Sequence, residues 1–142
     1  MLIKPSALTS TSRGTTQMKK NSQAEHIARC LELAILLEAA APKPGNVSVA
    51  NNFEKTCYTH FLASAVAASS SFETAAEKGI SVSQGKIGLA DVGLGLLIKN
   101  CIADINAWQH GGNTLLGAVM LLSPIAVAAG MTSKTANPNL NS

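Results

Sequence analysis

Apolar residues recur at helical spacing after a polar start to the chain. From Ile27 to Ile35 they return every three to four residues, which is the period of a helix with one buried face. Ser22 and Glu25 form the serine-to-glutamate spacing of a capping box at the front of this pattern. Pro42 and Pro44 cannot continue a helix. The pattern therefore predicts a first helix that begins with Ser22 as its N-cap and ends near Ala40.

The same period predicts further helices downstream. Ser69-Ser70-Ser71 indicates a break between helices, and Lys78-Gly79 is typical of a helix C-terminus. The pattern of residues 80–86 is ambiguous and predicts no element. Gly93 and Gly95 lie inside a long periodic segment and indicate close packing or a kink. The predicted helices are 57–70, a short one that ends at 78–79, 87–108 and 114–131. Since no segment alternates with a period of two, we expect an all-α helical bundle.

Composition supports one domain between two polar ends. The chain has 142 residues, of which 46% are hydrophobic, and this is enough for one sizeable core. Residues 1–21 are rich in Ser, Thr and Lys without periodicity, and we expect them to form a disordered basic tail. We expect the helical domain to cover residues 22–134 and the Asn-rich residues 135–142 to be disordered.

Charge and cysteine content narrow the class of protein. The net charge of +3 comes from the basic first segment, so the expected core lacks the basic, aromatic face of a nucleic-acid-binding protein. Cys30, Cys57 and Cys101 have no zinc-binding spacing, and we expect buried, reduced thiols in a cytoplasmic protein. The apolar segment 114–131 leaves a membrane anchor as an alternative, although Ser123-Pro124 interrupts it.

The loop after the first helix carries the first group of candidate site residues. Lys43 stands between two prolines, where its ammonium can bind a phosphate as a point charge. Gly45 and Asn46 can add N–H donors to the same anion. Glu38 lies at the negative end of the helix dipole, which favours a role in holding Mg²⁺ or carrying a proton. The alternatives are a rigid turn with an exposed lysine and a solvated surface acid.

A second glycine-containing loop precedes the last apolar helix. Asn113 or Thr114 can serve as the N-cap there, and the free N–H groups of a helix N-terminus also bind anions. His110 can protonate a leaving group near neutral pH. The alternatives are capping alone for the first two residues and an ordinary surface position for His110.

Together these segments resemble a known enzyme family. The sequence from Glu38 to Val47, the sequence from Tyr58 to Ala65 and the sequence from Gly112 to Gly117 are similar to the triphosphoribosyl-dephospho-CoA synthase family, especially its archaeal-type branch. The similarity extends over about residues 24–133. It implies an all-helical, ATP-using transferase that moves the triphosphoribosyl group of ATP to the 2′-hydroxyl of 3′-dephospho-CoA and releases adenine.

Under this resemblance the candidate residues acquire roles. Lys43, Gly45, Asn46, Asn113 and Thr114 would bind the phosphates of ATP. The catalytic candidates are Glu38, as a base or a ligand of Mg²⁺, and His110. We expect ATP and a dephospho-CoA-like molecule as substrates, Mg²⁺ as cofactor, and neither nucleic acid nor membrane as partner.

Two features of the chain keep other functions open. Family members usually have a histidine and a nearby aspartate where this chain reads Asn51-Asn52, so a non-catalytic or degenerate nucleotide-binding protein is the alternative. They also carry further C-terminal helices, so we expect a shortened member. An apolar helix face left without those partners favours a homo-oligomer.

Overall fold

The computed structural model describes residues 12–45 and 47–132, with the backbone alone for residues 12–22. This part of the chain forms four α-helices and one 3-10 helix, and it contains no strand. The α-helices are α1 (Ser12–Ala40), α2 (Tyr58–Ser83), α3 (Leu94–Trp108) and α4 (Leu116–Thr132), and the 3-10 helix is Leu89–Val92. The predicted all-α bundle is confirmed, whereas residues 1–11 and the predicted disordered end, 135–142, lie outside the described residues.

The first helix ends where the sequence predicted but begins earlier. Its last residue is Ala40, directly before the segment that Pro42 and Pro44 exclude from a helix. It begins at Ser12 rather than Ser22, so the predicted N-cap at Ser22 is wrong. Serine and glutamate at capping-box spacing are also tolerated inside a helix. The spacing alone therefore does not determine where the helix begins.

The second helix is continuous through both of its predicted interruptions. Ala68, Phe72 and Ala75 are buried on one face and hold the helix together across Ser69–Ser71, so the predicted break is wrong. Gly79 lies inside α2 rather than past its end. A Cβ atom on Gly79 would lie 2.9 Å from the carbonyl carbon of Val127 in α4, so glycine is needed there for close helix packing.

The predicted helix 87–108 is divided into two elements. Gly93 has φ of +70°, a left-handed conformation that ends the 3-10 helix and precedes α3. Residues with a Cβ atom rarely adopt this conformation, whereas glycine adopts it without a steric penalty. Close packing does not explain Gly93, because no atom of the described part of the chain lies within 4 Å of a Cβ atom built there; this glycine instead separates two helical elements.

The last helix includes the proline that was expected to interrupt it. Pro124 lies within α4, and the hydroxyl of Ser123 donates a hydrogen bond to the carbonyl of Val119 at 2.7 Å. Among the described residues, no helix has both the length and the apolar character needed to cross a membrane. The anchor that the alternative reading placed at residues 114–131 is therefore not found.

Helix α2 is the centre of the bundle and packs against the other three helices. It runs antiparallel to α1, because Ala24 clusters with Ile80, and parallel to α4, because Ser64 contacts Thr114 and Gly79 approaches Val127. The largest fully buried side chains in the core are Phe72, Val119, Cys101 and Ser64. It follows that the first loop (residues 41–57) and the second loop (residues 109–115) lie at the same end of the bundle.

The three cysteines are free thiols in different environments. Cys101 is buried as expected, and burial raises the pKa of its thiol to about 11. Cys30 is exposed, so the expectation that it is buried is wrong: it projects from the outer face of α1, and its sulfur lies 3.7 Å from the Nε2 atom of His26. Cys57 is half-buried at the start of α2.

Candidate functional site

The two loops meet on a row of polar side chains along the start of α2. The hydroxyl of Thr56 donates a hydrogen bond to the carbonyl oxygen of Gly111 at 2.7 Å. One turn later His60 lies against Gly111, and one further turn on, the hydroxyls of Ser64 and Thr114 are 2.6 Å apart. We call these five residues the junction. Thr56 directly precedes the N-cap of α2, and His60 and Ser64 lie one turn apart on the helix itself, so the end of the first loop and one face of α2 together support the second loop.

The second loop is also held from within by Gln109. This side chain is only 5% exposed. Its Nε2 atom donates a hydrogen bond to the carbonyl oxygen of Gly112 at 2.9 Å, and its Oε1 atom accepts one from the N–H of Gly111. The Oδ1 atom of Asn113 accepts a hydrogen bond from the N–H of Leu116, the first residue of α4, at 3.1 Å, so Asn113 satisfies a free N–H group as a cap does, although Leu115 directly precedes the helix. The loop therefore has a defined shape.

The first loop presents one opposite-charge pair at the end of α1. The ammonium of Lys43 forms an ion pair with the carboxylate of Glu38, and their side chains are 36% and 57% exposed. Gly45 has φ of +74°, as a glycine in a tight turn permits, and Val47 is buried and anchors the chain that follows. Asn46 lies outside the described residues. Because both side chains are partly exposed, a ligand can reach them, and an exposed pair of this kind contributes little stability.

The start of α2 gives one polar residue of the first loop a structural role. The Oδ1 atom of Asn52 accepts a hydrogen bond from the N–H of Tyr58, the first residue of α2, at 3.2 Å. The N–H of Cys57 donates to the Nδ1 atom of His60 at 3.1 Å. The hydroxyl of Thr59, 3.0 Å from the Cys57 sulfur, lowers the pKa of that thiol by hydrogen bonding.

The candidate residues fall into two groups at this end of the bundle. Glu38 pairs with Lys43, and Asn113 and Thr114 lie together at the start of α4. His110 is exposed within the second loop. Within the part of the chain that the structure describes, no hydrogen bond or ion pair joins Glu38 or Lys43 to residues 109–115. The loops themselves touch through Thr56 and Gly111.

Sequence reasoning missed the residues that join the loops. The sequence pattern singled out His110 rather than His60, and it predicted no role for Thr56, Ser64 or Gln109. The available signal was a polar residue at every fourth position from Thr56 to Ser64, together with a glutamine at the first position of the second loop. The pairing of these segments is a tertiary contact, which local periodicity does not contain.

Metal binding at this end of the bundle would depend on a small molecule bound to the protein, because the described side chains alone do not form a metal site. No group of three or more His, Cys, Asp and Glu side chains is arranged to hold a metal ion in the described ranges. Glu38 is a single carboxylate. Mg²⁺ is commonly bound by one or two carboxylates together with substrate phosphates, so Glu38 fits a Mg²⁺ ion that arrives with a nucleotide.

A cavity of about 540 Å³ lies at the opposite end of the bundle, between the start of α3 and the end of α4. Its lining includes Leu89, Leu94, Val127 and Met131 and contains no charged side chain. A highly charged polyphosphate needs cations and N–H donors, which this cavity does not offer. The loop end is therefore the better candidate for phosphate chemistry.

Comparison with known proteins places the chain in a family. Residues 24–141 match the family described as ATP:dephospho-CoA triphosphoribosyl transferase (CitG), and the chain belongs to this family. The match confirms the family resemblance that the loop sequences carry. No curated protein and no solved structure matches the chain.

Proposed function

We propose that this member of the ATP:dephospho-CoA triphosphoribosyl transferase family transfers the triphosphoribosyl group of ATP to the 2′-hydroxyl of 3′-dephospho-CoA and releases adenine. The junction is the observation that most supports the proposal. In a chain that matches the family, both loops with candidate phosphate-binding residues lie at the same end and touch through Thr56 and Gly111.

The reaction exchanges one bond at the anomeric carbon of the ATP ribose. The bond from C1′ to N9 of adenine breaks and its electron pair leaves with N9, which takes up a proton. A bond from C1′ to the acceptor oxygen forms as the acceptor hydroxyl loses its proton. The transition state resembles an oxocarbenium ion, as in glycoside cleavage. The protein must therefore hold the triphosphate, accept one proton and supply another.

Lys43 and the start of α4 suit the triphosphate. The Lys43 ammonium can move from Glu38 to a phosphate because the pair is partly exposed. Gly45 and Asn46 follow it in the sequence and can supply N–H donors. At the second loop, Asn113 uses its Oδ1 atom for the cap, which leaves its NH₂ group free to face a ligand, and Thr114 lies beside it. The helix dipole favours negative charge at this N-terminus.

Glu38 and His110 suit the proton transfers. Once Lys43 turns to a phosphate, the Glu38 carboxylate is available to accept the proton of the acceptor hydroxyl or to join the ligands of Mg²⁺. Mg²⁺ would neutralise part of the triphosphate charge when bound. His110 is exposed in the second loop and can donate a proton to the departing adenine.

Adenine release tests the proposal directly. The purified full chain is incubated with ATP, Mg²⁺ and 3′-dephospho-CoA, and free adenine is measured by chromatography, with omission of the acceptor as the control. We expect adenine and the triphosphoribosyl product in equal amounts. A folded protein, judged by a helical circular-dichroism spectrum, that releases no adenine would refute the proposed reaction.

The second candidate is a nucleotide-binding protein without catalysis. It is favoured by Asn51-Asn52, which stand where family members usually have a histidine and a nearby aspartate; here the Oδ1 atom of Asn52 accepts a hydrogen bond from the N–H of Tyr58. In this case calorimetry detects ATP binding but no adenine is released.

The exposed face of α4 favours self-association with either function, because Leu116, Met120, Leu121 and Ile125 are all at least 39% exposed. A dimer in size-exclusion chromatography with light scattering would support self-association, and a monomer would refute it.

A further inference from the structure

We propose that His60 is a positioning residue of this site, whose ring supports Gly111 and thereby fixes Asn113 and Thr114 in front of the ligand. Its proposed ligand, the triphosphate of ATP, rests on the proposed function. The contact between His60 and the second loop rests on the structure alone.

The ring of His60 has a fixed orientation. Its Nδ1 atom accepts a hydrogen bond from the N–H of Cys57 at 3.1 Å and lies 3.4 Å from the Cys57 sulfur. Its backbone N–H is bonded to the carbonyl of Cys57 at 3.0 Å, as the first turn of α2 requires. The ring therefore cannot rotate without losing the contact that caps α2.

Gly111 lies directly on that ring. Gly111 is buried, and a Cβ atom built on it would be 2.8 Å from the Cβ atom of His60 and closer still to the Cγ and Nδ1 atoms of the ring. Cβ atoms in proteins essentially never show such separations. The main chain of the second loop thus rests on His60 at van der Waals contact, and only glycine fits between them.

The position of Gly111 determines where the ligand-facing groups lie. Its carbonyl is held by Thr56 and its N–H by Gln109, and Asn113 follows two residues later. Thr56 and Ser64 attach the loop by hydrogen bonds on either side, but His60 is the side chain that occupies the space between them. Loss of the ring removes this support and leaves the loop free to move toward α2.

If His60 only caps α2, a substitution that preserves the cap should leave the second loop unchanged. Glutamine is a preferred residue at this third helical position, because its side-chain oxygen can accept the same hydrogen bond from the N-cap N–H. It has no flat ring to support Gly111. The variant His60→Gln therefore separates helix capping from loop positioning, whereas His60→Ala removes both.

The test compares the wild-type chain, His60→Gln and the control His26→Gln, which replaces an exposed histidine on α1. We expect the same melting temperature for all three proteins. In His60→Gln we expect hydrogen exchange of the peptide covering residues 109–115 to be about fivefold faster and the Kd for Mg-ATP to be about tenfold weaker. His26→Gln should match the wild type in both measurements.

Unchanged exchange and unchanged ATP affinity in His60→Gln would overturn the proposal and leave His60 as a cap. Faster exchange with unchanged affinity would also overturn the positioning role. If wild-type protein does not bind ATP, the proposed function fails, while the exchange data still decide whether His60 supports the loop. Should His60→Gln fail to fold, Gly111→Ala displaces the same contact from the loop side and must accelerate exchange in residues 109–115.

Discussion

Replacement of Gly130 by alanine tests how α2 and α4 pack. Gly130 is buried where α4 packs against α2, and a Cβ atom there would lie 3.0 Å from both the carbonyl carbon of Ala76 and the nitrogen of Ile80, and closer still to the Ala76 oxygen. These are backbone atoms, so a side-chain rotation cannot relieve the clash. The helices must move apart along the parallel contact that brings Ser64 to Thr114.

The expected loss of stability follows from two opposing terms. Alanine is favoured over glycine inside a helix by about 1 kcal/mol. Overpacking of a close contact costs about 1–3 kcal/mol, and the upper value applies here because rigid backbone atoms are involved. The net loss for Gly130→Ala is therefore about 2 kcal/mol, which corresponds to a fall in the melting temperature of roughly 8 °C.

Gly117→Ala is the matched control in the same helix. No atom lies within 4 Å of a Cβ at Gly117, so this variant gains the helix propensity without a clash. We expect it to be more stable than the wild type by up to about 1 kcal/mol. Thermal unfolding followed by circular dichroism measures both variants. A Gly130→Ala protein as stable as Gly117→Ala would refute the close packing of α2 against α4.

Further predictions concern the loop residues and the thiols. Lys43→Ala should weaken ATP binding by about tenfold in calorimetry with an unchanged helix content. The control Lys99→Ala, on the exposed side of α3, should bind ATP as the wild type does. If Lys43→Ala also binds ATP as tightly as the wild type, Lys43 is not part of the site. Asn113→Ala should cost about 1 kcal/mol of stability from the lost cap and should also weaken ATP binding, and a loss of stability alone would leave Asn113 as a cap. The pKa of the Cys57 thiol is lowered and that of the Cys101 thiol is raised to about 11. Iodoacetamide at pH 8 should therefore label Cys57 in the folded protein and Cys101 only after unfolding. Rapid labelling of Cys101 in the folded state would contradict its burial.

Local chemistry predicted the features that depend on neighbouring residues. Pro42 ends α1 at Ala40 because proline removes an N–H group and fixes φ, whatever the tertiary structure. The capping contact of Asn113 is likewise short in sequence range. The helical period of the apolar residues predicted the fold class because a bundle is built from such faces.

The errors arose where tertiary packing decides between local alternatives. Gly79 is a suitable helix end in isolation, but the approach of Val127 makes it a packing glycine inside α2. Gly93 was treated as a kink or close contact, but its positive φ ends one element and begins another. The role of His60 depends on Gly111, which is 51 positions away, and only the parallel arrangement of α2 and α4 brings the two together.

The central claim is that the first and second loops form one triphosphate site. Titration of the isotope-labelled chain with Mg-ATP, followed by amide chemical shifts in NMR, tests it most directly. We predict that the amides of Lys43, of residues 45–47 and of residues 111–114 shift together with a single Kd, while residues 89–96 at the apolar cavity do not shift. Shifts confined to one loop, or centred on residues 89–96, would contradict the account.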